Sequence, residues 1–205
     1  MKIALAQVNP TIGDFDGNAA KIRGALREAA DGGAALVVFS EMVVTGYPPH
    51  DLLEREGFIR DGEKALAAIA AETRGGPAAI VGGVRKNPRP TGKALENCAF
   101  LLADGEIAGA RAKSLLPTYD VFDERRYFEP AAEIEPIAFR GRKLGLTVCE
   151  DVWVGPESPV TRLYDRDPAA ELVAKGADLI VNIAASPFTL EKRGLRPRLL
   201  AKTAR

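Results

Sequence analysis

One apolar run, Lys143-Leu-Gly-Leu-Thr-Val, ends in Cys149, then two acids, Glu150 and Asp151, and soon after Trp153, the single tryptophan of 205 residues. Such a run reads as a buried strand that carries a thiol to a loop mouth, and open α/β sheets bind ligands beyond the carboxyl ends of their strands. Two further ionisable side chains have the same expected placement: Glu41 follows Ala35-Leu-Val-Val-Phe-Ser40, and Lys113 follows residues 106–112. If those strands are neighbours, a thiol, a carboxylate and an ammonium converge. A cysteine nucleophile needs a base, and the one histidine, His50, lies in a Pro-Pro-His-Asp turn where it serves equally as a loop or surface residue. A glutamate and a lysine do the work without it: Glu41 in a water-poor pocket takes the thiol proton while Lys113 stabilises the thiolate and an oxyanion. The competing reading is plain packing, because a buried cysteine is often a small hydrophobe and strand-end charges are often solvated.

The elements that must position these groups follow from periodicity and turn residues. Residues 2–8 read as a strand stopped by Asn9-Pro10, and Ile22, Ala25, Leu26 and Ala29 recur at helical spacing over 18–30 before Asp31-Gly32-Gly33. Residues 35–40 read as a strand covered on both faces, 58–73 as a helix, and 78–84 as another buried strand. Asp104-Gly105 joins 96–103 to 106–112 in the strongest hairpin signal of the chain. The stretch 114–135 has no regular pattern but carries Tyr119, Phe122, Tyr127 and Phe128, which argue for order. Strands are expected at 136–139 and 143–149, with Cys149 the last residue of the second. A helix over 168–175, a strand over 178–183 and a helix from Pro197 to Arg205 complete the chain. Two βαβ-like halves, around Gly33-Ala-Ala-Leu-Val-Val and Gly176-Ala-Asp-Leu-Ile-Val, make an α/β layered domain with a mixed sheet the expected architecture.

Composition narrows the function class. Lys and Arg number 28 against 28 Asp and Glu, so the formal net charge is zero and neither a nucleic acid nor an anionic membrane has electrostatic support as a partner. No stretch has the length of a membrane span, and the opening Met1-Lys-Ile-Ala-Leu-Ala-Gln-Val lacks a signal-peptide cleavage pattern, so a cytoplasmic location is expected. Cys98 and Cys149 have no CxxC spacing, which indicates neither a disulfide framework nor a metal site.

Phe39-Ser-Glu41, Ala112-Lys113-Ser-Leu-Leu-Pro and Val148-Cys149-Glu-Asp-Val-Trp resemble, in order, the three catalytic motifs of the nitrilase, or carbon–nitrogen hydrolase, superfamily. The resemblance runs the length of the chain and implies a four-layer α-β-β-α sandwich with mixed sheets and a Glu41-Lys113-Cys149 triad. Residues 41–53, 113–128 and Asn182-Ile-Ala-Ala-Ser186-Pro-Phe188 are similar to the glutaminase domain of glutamine-dependent NAD synthetases. That likeness implies L-glutamine as substrate, with contacts at Tyr119, Ser186 and Lys192, and implies Glu124 as the second glutamate that orients Lys113.

The family's domain continues with further strands, and the synthetases add an ATP-using domain with a Ser-Gly-Gly phosphate loop. Neither is found in residues 1–205. The sequence therefore reads as a fragment, incomplete at its C-terminal end, with an open sheet edge beside 178–183 that favours a homo-oligomer. No cofactor is expected for the glutaminase, and ATP, Mg²⁺ and deamido-NAD belong only to the absent synthetase domain. Two other readings stay open: an amidase of the same superfamily acting on another small amide, and a non-catalytic assembly or regulatory domain whose cysteine is core packing.

Overall fold

The computed structural model describes residues 1–156, 158–187, 189–190 and 192–204, with residue 161 lacking a described side chain. Phe188 of the Asn182–Phe188 motif and Arg205 at the end of the last expected helix lie outside the described residues. The first sheet has the order β1 (Ile3–Leu5), β2 (Leu36–Val38), β3 (Ala78–Lys86), β4 (Leu95–Ala103) and β5 (Glu106–Ala112). The second has β6 (Ile137–Phe139), β7 (Arg142–Val148) and β8 (Leu179–Ile183). Both expected βαβ units form: β1 and β2 pair in parallel around α1 (Phe15–Asp31), and β7 and β8 pair in parallel around α4 (Pro168–Ala174). The hairpin also forms, with Asp104 and Gly105 at φ 54° and 89°, as a tight primed turn requires.

Alternation along the strands explains the layering, because successive side chains point to opposite faces. Val37, Ala79, Val81, Cys98, Phe100 and Leu102 point toward α1 and α2 (Glu56–Ala71), meeting Ile22, Leu26, Leu66 and Ile69. Their neighbours Leu36, Val38, Ile80, Ala99 and Leu101 point the other way, into Leu144, Leu146, Val148, Val181 and Ile183 of the second sheet. Outside that sheet lies α4, whose Leu172, with Ala177 just beyond the helix, crowds Gly145. The result is the helix–sheet–sheet–helix sandwich with mixed sheets that the sequence implied. Among the described residues no helix is long and apolar enough to cross a membrane.

Several boundaries differ from expectation. The first two strands are shorter than their apolar runs, a 3-10 segment (His50–Glu54) interrupts the loop before α2, and α3 (Glu124–Tyr127) gives the 114–135 stretch one helical turn. The last helix, α5 (Lys192–Thr203), begins before Pro197 and carries it in its interior. Leu195 and Leu199 on either side of that proline both pack against Val152 and Trp153, so burial keeps the helix going where the proline reads as a start.

Candidate active site

The three ionisable side chains meet, but not because their strands are neighbours. In the first sheet β3 and β4 separate β2 from β5, and β7 belongs to the other sheet. Two antiparallel pairings in succession, β3 with β4 and β4 with β5, return β5 to the direction of β2, so both strands end at the same rim. Face-to-face packing then brings the end of β7 onto that rim. Lys113 directly follows β5, whereas Glu41 stands past Phe39 and Ser40. Gly82 on β3 lets the chain pass there, since a Cβ on it would sit 2.3 Å from the Met42 nitrogen. Cys149 is not the last residue of its strand: β7 stops at Val148, and Cys149 opens a 3-10 turn (Cys149–Val152) at φ 44°. A non-glycine residue held there is strained by roughly 1–2 kcal/mol, and such strain concentrates at functional sites.

Lys113 has no exposed surface, and its Nζ donates to Glu41 Oε1 at 2.9 Å and to Glu124 Oε1 at 2.8 Å. Burial opposes the ammonium, but the charges of Glu41 and Glu124 outweigh it and hold Lys113 well above its usual range. Glu124 is itself pushed up by burial from 4.5 to about 7, with Glu41 reinforcing the rise and Lys113 opposing it. Asn97 Nδ2 donates to Glu41 Oε1 at 2.8 Å, and the Ala185 amide donates to Glu41 Oε2 at 3.0 Å. Tyr47 donates its hydroxyl to Glu124 Oε1 at 3.1 Å. The Cys149 thiol is driven well above its usual value, first by burial and then by Glu41, with Lys113 pulling the other way. It is thus a neutral thiol at rest that needs a base beside it to react. His50 is exposed on its 3-10 segment, and the carboxylate whose charge acts most on the thiol is Glu41.

The residues expected to touch an amide substrate lie around this centre. Tyr119 is half-buried and donates to Glu150 Oε1 at 2.7 Å, while Tyr164 donates to the same oxygen at 2.9 Å. Lys192 Nζ stands 3.5 Å from Ser186 Oγ and 5.5 Å above the Trp153 ring. Sequence reasoning missed Asn97, Tyr47, Glu150, Asp151 and Tyr164 as members of the cluster. Asn97 left little trace, because Glu96 beside it is also polar and the strand turns apolar only from Cys98 onward. The acids after Cys149 were visible, yet an acid at a strand end looks solvated until the fold buries it. Among the described residues no group of His, Cys, Asp and Glu is arranged to hold a metal ion.

Comparison with known proteins settles the family. The carbon–nitrogen hydrolase family model matches residues 2–202. The chain belongs to the carbon–nitrogen hydrolase family. Within that family it is 40% identical over 206 residues to the glutamine-dependent NAD(+) synthetase of Thermotoga maritima, covering 100% of this chain and 33% of the relative. The Synechocystis protein of the same description is also 40% identical, over 99% of this chain and 37% of its own length. Among solved structures, the glutamine-dependent NAD+ synthetase of Acinetobacter baumannii in complex with ADP superposes with a TM-score of 0.84 at 30% identity, over 98% of this chain and 35% of that one. An amidase from Nesterenkonia shares the carbon–nitrogen hydrolase fold at a TM-score of 0.77 and 22% identity, over 99% of this chain and 72% of that one. The chain thus spans about a third of the length of the synthetases it resembles.

Proposed function

We propose that this chain hydrolyses the side-chain amide of L-glutamine through a Glu41-Lys113-Cys149 triad and supplies the ammonia to an ATP-dependent step that amidates deamido-NAD. The observation that carries the reading is Lys113, a fully buried ammonium held between Glu41 and Glu124 and acting electrostatically on the Cys149 thiol. A cation fixed in that way is poised for an oxyanion, because it gains a third partner without moving. The 40% identity along this chain to proteins described as glutamine-dependent NAD(+) synthetases supports glutamine among amides. In this reading ATP, Mg²⁺ and deamido-NAD are handled outside residues 1–205, and the hydrolase itself uses no cofactor.

The chemistry runs in two halves. Glu41 takes the proton of Cys149 as sulfur bonds to the amide carbon, and Lys113 with nearby backbone N–H groups holds the resulting oxyanion. The C–N bond breaks, Glu41 returns the proton to nitrogen, and ammonia leaves a thioester. Water then gives a proton to Glu41 and attacks the thioester; the C–S bond breaks, glutamate departs, and the proton returns to Cys149. Ser186 and Lys192 would receive the α-carboxylate, and Glu150 between Tyr119 and Tyr164 supplies an acidic counterpart for the α-ammonium. Self-association through the β8 edge belongs to the same proposal. Ammonia release from glutamine by the full-length protein should disappear in Cys149→Ala. Undiminished release in that variant would sink the assignment, and a preference for simple aliphatic amides over glutamine would move it to a general amidase.

A further inference from the structure

Asp151 is 2% exposed, yet among the described residues no lysine or arginine donates to it. Its Oδ1 accepts the backbone N–H groups of Ser114 and Leu115, both at 2.9 Å, and its Oδ2 accepts that of Val148, also at 2.9 Å. Ser114 and Leu115 come directly after Lys113 at the end of β5. Val148 comes directly before Cys149 at the end of β7. One carboxylate therefore bridges the active ends of two strands that belong to different sheets. Capping of the short turn that begins at Cys149 accounts for the Val148 bond alone; the other two reach 36 and 37 residues back along the chain.

We propose that Asp151 is a positioning residue that fixes the distance between the Cys149 sulfur and the Lys113 ammonium by clamping the backbone on either side of them. A second link between these stretches, from the Tyr119 hydroxyl to Glu150 Oε1, joins two side chains and does not hold the backbone beside Lys113 or Cys149. Lys113 is held to Asn97 through its own amide and to Ala131 through its carbonyl, both on its own side of the sandwich. Cys149 is flanked by β8, whose Asn182 reaches its carbonyl at 3.5 Å. A carboxylate suits the task because three N–H dipoles converge on it and only an acceptor on both oxygens satisfies them all. The purpose of the clamp rests on the glutaminase reading, but its effect on the thiol can be measured without glutamine.

Asp151→Asn keeps the shape and sets an NH₂ group against at least one of the three N–H donors. In the full-length protein it should lower kcat for glutamine about 10²-fold, the scale of an ångström-sized misplacement, while KM changes less than about threefold. Cys149 should also be alkylated by iodoacetamide at neutral pH at least about tenfold more slowly, because Glu41 no longer sits where it can take the proton. Peptide mapping separates that signal from Cys98, which is fully buried. If Asp151→Asn does not fold, Asp151→Ser, whose hydroxyl leaves room for water at each N–H, is measured in the same way. A folded variant with wild-type alkylation of Cys149, or one that raises KM and leaves kcat intact, overturns the clamp. Failure of the wild-type protein to release ammonia would overturn the glutaminase reading, and the alkylation rates would still decide the role of Asp151.

Discussion

At the scale of single residues, the site is governed by how many charges one buried lysine must satisfy. Lys113 keeps its proton because two carboxylates face it, and Glu124 is pushed up to about 7 mainly because burial disfavours its charge. Since the folded value lies above the ordinary 4.5, the folded chain binds more protons than the unfolded one across that window. The group therefore lowers stability progressively as pH rises from 4.5 to about 7, a cost consistent with a functional rather than a structural role. For activity the sign is opposite: Glu124 must be a carboxylate to hold Lys113, so kcat should climb with pH through about 7. In Glu124→Gln a pH–rate profile should show that limb gone and kcat lower by about 10²-fold across the range. A profile in which the limb survives unchanged would assign it to another group. That Glu41, Lys113 and Cys149 come together was legible from residue type and from their places at or just past apolar runs; Asn97 and Tyr47 were not, since what matters is the oxygen they donate to, and no local pattern reveals that.

Among the elements, β3 decides whether Glu41, the proposed general base, can reach its place. Glu41 lies on the strand only because Gly82 has no Cβ to fill the space taken by Met42 and by Glu41's own backbone. Gly82→Ala should force the 41–46 turn off β3, costing about 1–3 kcal/mol in urea denaturation and lowering ammonia release more than the loss of folded protein explains. Activity that tracks the folded fraction alone would show that the turn tolerates the shift. The same turn is held from behind by Asn18 of α1, whose Nδ2 donates to Thr11 O at 2.7 Å and to Val44 O at 3.2 Å. Helix and strand positions were readable from periodicity, and the hairpin at Asp104-Gly105 from two residues. The ends of β1, β2 and α5 were not, because a ladder stops where its partner stops and a helix runs on where its apolar side chains remain covered.

For the molecule as a whole, Glu41 and Lys113 follow strands of one sheet and Cys149 follows a strand of the other, so the packing of the two sheets bears on the spacing that Asp151 is proposed to fix. Leu144 lies fully buried between them, facing Leu36, Val38 and Ile80 from the other layer. Leu144→Ala should cost about 2–5 kcal/mol by calorimetry or denaturant, and residual kcat should fall as the layers relax toward the void. An unchanged kcat in the folded variant would mean that the rim holds its spacing independently of the core, which would place more of that burden on Asp151. By itself the sequence determined the alternation of buried runs, the parallel βαβ units and the family motifs, and it singled out the three side chains proposed to react, because all of these depend on neighbours close along the chain. The tertiary structure alone decided that Glu41 and Lys113 reach one rim through two reversals of strand direction. It also decided that Cys149 leaves its strand at a positive φ, and that Glu150 and Asp151 are buried rather than solvated. These features arise from contacts between residues far apart in sequence, where burial and hydrogen-bond partners are created by packing and leave no mark in local spacing.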